Sequence, residues 1–240
     1  MGPSERKPVI LGISGSPRKN NTHALLSASL EAARECGAET RLVSLAGKTI
    51  KPCIGCYRCA DEDGDDAYFC QKHKDTDDMH AIYGDISDAD ALLIASPVYF
   101  GTVSGQVKVM MDRFMPFFGG FKRGDLLNGK LGGGLAVGIK HHGGQELTIH
   151  AIHTFYLHLG MIVVGPGAPH LYCSYGGAGI APNDEKREVL RDAKAVASAR
   201  DVGARIAKIL VGRGFSSIDP VDEGELGARS TAMKGEGAVK

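Results

Sequence analysis

The sequence lacks a net charge and a long apolar segment. Its 28 basic and 28 acidic side chains balance, so it has no broad positive field to hold nucleic acid or an anionic membrane. The first apolar run, Val9 to Ile13, is far shorter than the core of a signal peptide. No run reaches the length that spans a bilayer. These absences predict a soluble, cytoplasmic protein whose partners are small molecules or other proteins.

Glycine and clustered cysteine are what the chain does have. It contains 33 glycines among 240 residues, about twice the usual share, which predicts several places where the backbone turns sharply or approaches a ligand. Four of the six cysteines lie in one stretch. In a chain of this length, that clustering indicates metal ligands in a reducing compartment better than a disulfide framework.

The cysteine stretch places Cys53, Cys56 and Cys59 at two-residue gaps, followed by Cys70. Two-residue gaps let one tight backbone wrap aim three sulfurs at neighbouring corners of an iron-sulfur cube, and a later residue can fill the fourth corner. A [4Fe-4S] cluster is therefore the first hypothesis. Zinc and a redox-active dithiol are the alternatives, although a structural zinc site usually uses two separate CxxC pairs, whereas Cys56 is shared by both pairs here.

Five short apolar runs alternate with segments of helical periodicity, which is typical of a doubly wound parallel sheet. We predict an α/β flavodoxin-like fold with five strands in the order 2-1-3-4-5, in which a loop at 52–78 carries the cysteines. The predicted strands are residues 9–13, 41–45, 91–95, 131–139 and 161–164. Residues 169–182 are predicted to form a long loop and residues 184–211 one long helix. A single domain would span 1–214, with a tail at 215–240 that is disordered or an oligomer contact.

A hydroxyl-rich loop follows the first predicted strand and precedes a helix. Hydroxyl groups, helix-start N–H groups and an arginine could together hold a terminal phosphate such as that of FMN. The sequence is neither GxGxxG nor a P-loop. A merely well-capped helix is the simpler alternative, because Ser, Thr and Asn are common caps. The candidate contacts are Ser14, Ser16, Pro17, Arg18, Asn20 and Thr22.

Two further loops follow predicted strands. Pro97, Val98, Tyr99, Phe100 and Gly101 could form a rim for a flat ring, although aromatic residues in this setting are often core. Gly143, Gly144, Gln145 and Glu146 could bring backbone N–H groups close to a ligand. Because strand ends in a doubly wound sheet point to one side, we expect these loops and the cysteine loop to share a face.

Several segments together resemble the iron-sulfur flavoproteins, within the wider NADPH-dependent FMN reductase-like group. The resemblance covers about residues 9–165 in order. It rests on the segments GISGSPRKNNT at 12–22, PCIGCYRC at 52–59, DDM at 77–79, SPVYFG at 96–101, DR at 112–113 and GGQELTIHAIHTFYLHLGMIVVG at 143–165.

The resemblance implies a homodimer or homotetramer with one FMN and one [4Fe-4S] cluster per subunit. It implies that the cluster of one subunit can serve the flavin of a neighbour, and that ferredoxin or NAD(P)H supplies electrons. The family's fourth cysteine usually follows the third more closely, so Cys36, Cys173, His73 or an acid of the 60–69 spacer are alternatives to Cys70.

The combined interpretation is an FMN and [4Fe-4S] oxidoreductase without an acid-base catalytic residue, because flavin exchanges two electrons and a cube exchanges one. One alternative is a cluster-free NAD(P)H-dependent FMN or quinone reductase whose cysteines bind zinc. Another is a non-catalytic redox sensor.

Overall fold

The computed structural model describes residues 6–60, 68–74, 76–119, 121, 123–167 and 173–212. Most of the acidic spacer between Cys59 and Cys70, and the predicted tail at 215–240, lie outside the described residues. The strands are β1 (Val9–Ser14), β2 (Glu39–Ser44), β3 (Ala91–Pro97), β4 (Leu131–Gly138), β5 (Ile162–Val163) and β6 (Gly177–Ile180). The α-helices are α1 (Asn21–Glu35), α2 (Met79–Asp88), α3 (Gly105–Asp112), α4 (Gln145–His158) and α5 (Ala193–Leu210).

The sheet is parallel, and its order β2-β1-β3-β4-β5 confirms the predicted flavodoxin-like topology. The central strands β1, β3 and β4 are apolar along almost their whole length because both of their faces are covered. Parallel strands need crossover connections, and the helices between them supply those.

The last edge of the sheet differs from the prediction of five strands. The amino-terminal half of β4 pairs with β5, whereas its carboxyl-terminal half pairs with β6 through Leu135 to Gly138. The sequence predicts a loop at residues 177–180, because GAGI carries no bulky strand pattern. The glycines are needed there, since a Cβ at Gly177 would overlap Leu135 and a Cβ at Gly179 would lie 2.7 Å from Val189.

Two helical layers cover the sheet. Helices α1 and α5 pack on one face, where they bury Leu25 and Val202 against Leu135. Helices α2, α3 and α4 pack on the other face, where Ile82 and Met110 join the core. Successive residues of a strand point to opposite faces of the sheet. Alternate side chains of β1 and β3 therefore belong to two different cores.

The predicted helix at 184–211 is shorter than expected. Asp184 and Arg187 adopt left-handed backbone angles, which a helix cannot continue through. A 3₁₀ turn follows at Glu188–Arg191, and α5 begins only after Asp192, whose side chain accepts a hydrogen bond from the Ala195 N–H. Residues 184–191 therefore form a separate segment that is free to contact α1.

The described helices are too short or too polar for any of them to cross a bilayer.

Candidate functional site

The loop between β1 and α1 is held in place from both sides. The Gly15 N–H donates to the Ala95 carbonyl at 2.8 Å, and the Gly15 carbonyl accepts from the Ser104 hydroxyl at 2.7 Å. A Cβ at Gly15 would overlap the Cγ2 of Val107. Glycine thus lets the loop approach β3 and α3 closely, which fixes the position of residues 16–22 at the carboxyl end of the sheet.

The start of α1 is not a conventionally capped helix. Asn20 stands at the N-cap, but its side chain makes no capping hydrogen bond. Instead its Oδ1 accepts from the Arg187 N–H, and the Oδ1 of Asn21 accepts from the Val189 N–H. The first N–H groups of α1 therefore receive no acceptor from Asn20. This argues against the simpler alternative of a capped helix, and open N–H groups of this kind bind anions.

A buried hydroxyl completes this part of the site. Ser14 is fully buried at the end of β1, and its Oγ has no hydrogen-bond partner among the described residues. Buried polar atoms are usually hydrogen-bonded, so an unpaired one beside open N–H groups indicates that a ligand completes the set. The donors of this loop fit the phosphate of FMN.

The predicted phosphate ligand Arg18 is paired with a carboxylate. Its Nη2 lies 2.6 Å from Oδ2 of Asp184, and the two side chains are 63% and 43% exposed. The pair raises the pKa of Arg18 through the hydrogen bond to Asp184. Exposed ion pairs contribute little to stability, so a phosphate dianion can compete for this guanidinium. Sequence reasoning missed Asp184, because it is distant along the chain and no motif marks it.

The loop after β3 lies beside the loop between β1 and α1, which is the candidate phosphate loop. A cleft of about 90 Å³ is lined by the predicted residues Ser16, Arg18, Asn20, Thr22, Pro97, Val98 and Tyr99, and also by Asn21, Val137, Gly138, Ile139, Ala181 and Asp184. Tyr99 pairs with Thr102 in a tight turn. That turn leaves Phe100 fully exposed, at a positive φ of 51°. The predicted rim for a flat ring therefore has two accessible aromatic residues.

The loop after β4 meets this rim. A Cβ at Gly144 would lie 2.7 Å from the Cα of Gly101, and Gly144 has a φ of 108°. Gln145 holds the loop from inside, because its amide donates to the Lys140 carbonyl at 2.7 Å and accepts from the Gly143 N–H at 2.9 Å. Gly144, Gln145 and Glu146 line a neighbouring cleft of about 540 Å³. The structure thus places all three predicted cofactor loops next to one another.

The four clustered cysteines line one cavity. Cys53, Cys56, Cys59 and Cys70 face a space of about 570 Å³, while Cys36 and Cys173 pack elsewhere in the two cores. The chain turns back on itself through Gly55 and Tyr57, which both have positive φ. The Gly55 N–H donates to the Cys53 sulfur at 3.5 Å. Four sulfurs around one space form a donor set that fits an iron-sulfur cluster.

The four cysteines share a cavity, but their side chains are spaced too widely to form a metal site. Among the described residues, no group of three Cys, His, Asp or Glu side chains lies close enough together to hold a metal ion. Burial raises the pKa of the Cys59 thiol to about 11, and the charges of Cys70, Cys53 and Cys56 act in the same direction. Each thiolate would disfavour the ionisation of the next, so Cys59 stays protonated when no cation compensates the negative charge.

The cysteine cavity lies away from the cleft of about 90 Å³ lined by Ser16, Arg18 and Tyr99, which is the candidate FMN cleft. This differs from the expectation of a shared face. The cysteine cavity is lined by the ends of α3 and α4, including Asp112, His158 and Leu159. Helix α4 begins beside the FMN cleft and runs for 14 residues, which is about 20 Å. The path of the chain after β2 explains the position of the cysteine cavity. The Lys51 N–H donates to Asp77 and the Lys51 carbonyl accepts from Arg113, which holds the chain against the helical layer.

Comparison with known proteins identifies the family of the chain. Residues 8–172 match the family model described as NADPH-dependent FMN reductase. The chain is 41% identical over 204 residues to an iron-sulfur flavoprotein of Methanocaldococcus jannaschii, covering 84% of this chain and 96% of that protein. It is 36% identical over 208 residues to an iron-sulfur flavoprotein of Archaeoglobus fulgidus, covering 84% and 97%.

The fold has solved counterparts. The crystal structure of a flavodoxin, WrbA-like protein from Agrobacterium tumefaciens superimposes with a TM-score of 0.55 at 16% identity, covering 86% of this chain and 99% of that one. The family match and the relatives lead to one conclusion: the chain belongs to the NADPH-dependent FMN reductase family and, within it, to the iron-sulfur flavoproteins, and it is an FMN-dependent oxidoreductase.

Proposed function

We propose that the protein transfers electrons between a donor and an acceptor through FMN and a [4Fe-4S] cluster. The observation that supports this most directly is the convergence of Cys53, Cys56, Cys59 and Cys70 on one cavity. Bound FMN would supply the exchange between two-electron and one-electron chemistry. The chain's own part is to hold the phosphate with residues 14–22, to place the ring against the 97–101 and 143–146 loops, and to fix the sulfurs.

Cys70 is the proposed fourth ligand. It lines the same cavity as the other three cysteines, whereas Cys36 packs at the end of α1 and Cys173 is buried near Ile149. A thiolate set of this kind requires a reducing compartment, for which the cytoplasm is the proposed location.

The proposed assembly is a homodimer or homotetramer in which the cluster of one subunit serves the flavin of the next. Within one chain the two sites lie at opposite ends of α4. Both carry exposed apolar side chains: Ile54 and Tyr57 beside the cysteines, and Tyr99 and Phe100 at the rim. Contact between copies would bury these residues and shorten the path between cofactors.

The test is chemical analysis of protein purified without oxygen. We expect FMN, four iron atoms and acid-labile sulfide per chain, and reduction of both cofactors by a ferredoxin-type protein or NAD(P)H. Cys56→Ser should keep FMN and lose one-electron transfer, whereas Cys36→Ser, outside the cavity, should behave as the wild type. Zinc without sulfide would end the cluster proposal.

A second candidate is a cluster-free FMN or quinone reductase. It is favoured by one observation, namely that the described residues contain no preassembled metal site. Unchanged turnover of a quinone with NAD(P)H in the Cys56→Ser variant would support it. The third possibility, a redox sensor, requires that the protein show no sustained turnover with either donor.

A further inference from the structure

Two short motifs outside the cofactor loops, Asp77-Asp78-Met79 and Asp112-Arg113, meet in a buried ion pair. The Nη1 of Arg113 lies 2.5 Å from Oδ2 of Asp77, and the side chains are 1% and 0% exposed. Burial is the largest influence on the pKa of Arg113 and lowers it, but the hydrogen bond to Asp77 and the neighbouring negative charges together outweigh burial and raise that pKa. Asp77 shows the complementary result, since the hydrogen bond from Arg113 helps to lower its pKa despite burial. Both groups are therefore charged in the folded protein.

The guanidinium of Arg113 uses only one of its nitrogen atoms. Nη1 donates to the Lys51 carbonyl at 2.8 Å and to Asp77. Nε and Nη2 are buried and have no hydrogen-bond partner among the described residues. These two nitrogens form one edge of the planar group, whose parallel N–H bonds match a pair of acceptors. A buried guanidinium edge without acceptors is costly, so it indicates a missing partner.

The space next to this group is the cysteine cavity. Arg113 lines that cavity together with Cys70 and Tyr83. Arg113 is close enough to Cys70 for the two charges to interact. The Tyr83 hydroxyl donates to the Arg113 backbone carbonyl at 2.6 Å, and neither Nε nor Nη2 of Arg113 has the Tyr83 oxygen as a hydrogen-bond partner. His73, whose charge also interacts with that of Arg113, repels it when protonated, and its buried Nε2 has no hydrogen-bond partner among the described residues.

We propose that the Nε–Nη2 edge of Arg113 faces the Cys70 sulfur and the sulfurs of the cluster bound there. Arg113 thereby raises the reduction potential of the cluster. This inference rests on the proposed function. Reduction adds one negative charge to the sulfur and iron atoms, and hydrogen bonds and positive charge beside the sulfurs stabilise that added charge. Asp77 pairs with the opposite side of the guanidinium, so the positive free edge remains nearer to the sulfurs.

The experiment is a potentiometric titration of the complete FMN-containing protein under anaerobic conditions, with dithionite as the one-electron reductant of the cluster. No bond forms or breaks in that step. In Arg113→Gln the cluster should become harder to reduce by about tenfold in the equilibrium constant, which is about 59 mV for one electron. Arg113→Lys keeps the charge but not the paired N–H bonds, so a smaller shift in the same direction is expected.

Four measurements test whether a shift in the cluster potential comes from the Arg113 side chain itself. Iron and acid-labile sulfide are assayed in every variant, and the FMN potential of the same sample should stay unchanged. Arg200→Gln removes a charge from the surface of α5, where Arg200 pairs with Glu35, and it should leave the cluster potential unchanged. Resonance Raman spectra of the wild type should show an iron–sulfur band that shifts in D₂O, and Arg113→Lys should reduce that shift, while the Gly55 N–H that donates to the Cys53 sulfur keeps part of it.

Failure of the proposed function and failure of the role of Arg113 give different results. If the wild type binds no sulfide, the proposed function fails and this inference fails with it. If the wild type is loaded but a loaded Arg113→Lys or Arg113→Gln keeps the wild-type potential and the full D₂O shift, only the role of Arg113 is overturned. Should Arg113→Gln lose the cluster, the loaded Arg113→Lys decides, since a shifted potential supports the inference and an unchanged one refutes it.

Discussion

Replacing Gly15 by alanine should weaken FMN binding because the phosphate loop has no room for a side chain at this position. The added methyl group would overlap Val107, which is fully buried, and would lie 3.2 Å from the Ala95 carbonyl that anchors the loop. Overpacking of this kind costs about 1–3 kcal/mol. If the loop moves instead of the core, that strain appears as a loss of affinity of about 5- to 150-fold.

The assay is a titration of the apoprotein with FMN, followed by quenching of flavin fluorescence, together with thermal unfolding of the apoprotein. Gly105→Ala is the matched control, because a Cβ at Gly105 would meet nothing within 4 Å. That change lies at the exposed start of α3, where alanine is a better helix former than glycine. It should leave FMN affinity unchanged and the melting temperature equal or slightly higher.

A second variant tests the stated cause. Val107→Ala alone leaves a small cavity, but in combination with Gly15→Ala it makes room for the new methyl group. The effects of the two changes should therefore be non-additive by about 0.5–3 kcal/mol, with the double variant recovering part of the lost affinity. If Gly15→Ala kept the FMN affinity and melting temperature of the wild type, the loop would not depend on its close approach to Val107, and this account of the site would be wrong.

Three further predictions concern the same site and its surroundings. Asp184→Asn should tighten FMN binding up to about fivefold in the titration. The carboxylate that competes with the phosphate for Arg18 is then gone, and an exposed ion pair is worth up to about 1 kcal/mol. Gln145→Leu should leave buried carbonyls unpaired, lower stability by about 1–3 kcal/mol and speed amide exchange in the 143–146 loop. Burial and the charge of His150 lower the pKa of His153 to about 4, so the folded state binds fewer protons than the unfolded one below pH about 6.5. The wild type should therefore lose up to roughly 3 kcal/mol of stability as pH falls from about 6.5 to about 4, and His153→Gln should lose less in urea unfolding.

Each of these three predictions has a control variant, and for Asp184 and His153 a contrary result is also stated. For Asp184→Asn the control is Glu35→Gln, which removes a distant exposed carboxylate and should not change FMN affinity. Weaker FMN binding by Asp184→Asn would mean that Asp184 holds Arg18 in the orientation that binds the phosphate. Glu146→Gln, on the exposed side of the same turn, should leave amide exchange unchanged. His158→Gln, an exposed histidine near the end of α4, should keep the wild-type slope with pH. An identical slope in the His153 variant would show that His153 does not carry the effect.

The local pattern of the chain decided much of the fold. Continuous apolar runs such as residues 9–13 predict strands buried on both faces, and the hydroxyl-rich loop that follows predicts an anion site. The spacing of Cys53, Cys56 and Cys59 predicts a cluster-like ligand set, which stays a prediction, and the structure places these three cysteines around one cavity. These features are readable because each depends on residues that are close together in the chain.

Tertiary structure decided what residues distant in sequence do to one another. Residues 177–180 form a strand because β4 leaves an edge unpaired there, and their glycines fit against Leu135 and Val189. Residues 184–191 do not continue α5 as an α-helix, and they contact the candidate phosphate loop through Asn20 and Asn21. The position of the cysteines away from the FMN cleft, and the buried pair of Asp77 with Arg113, depend on packing between separate helices. No local periodicity can encode such contacts, because their free energy arises only when the elements meet.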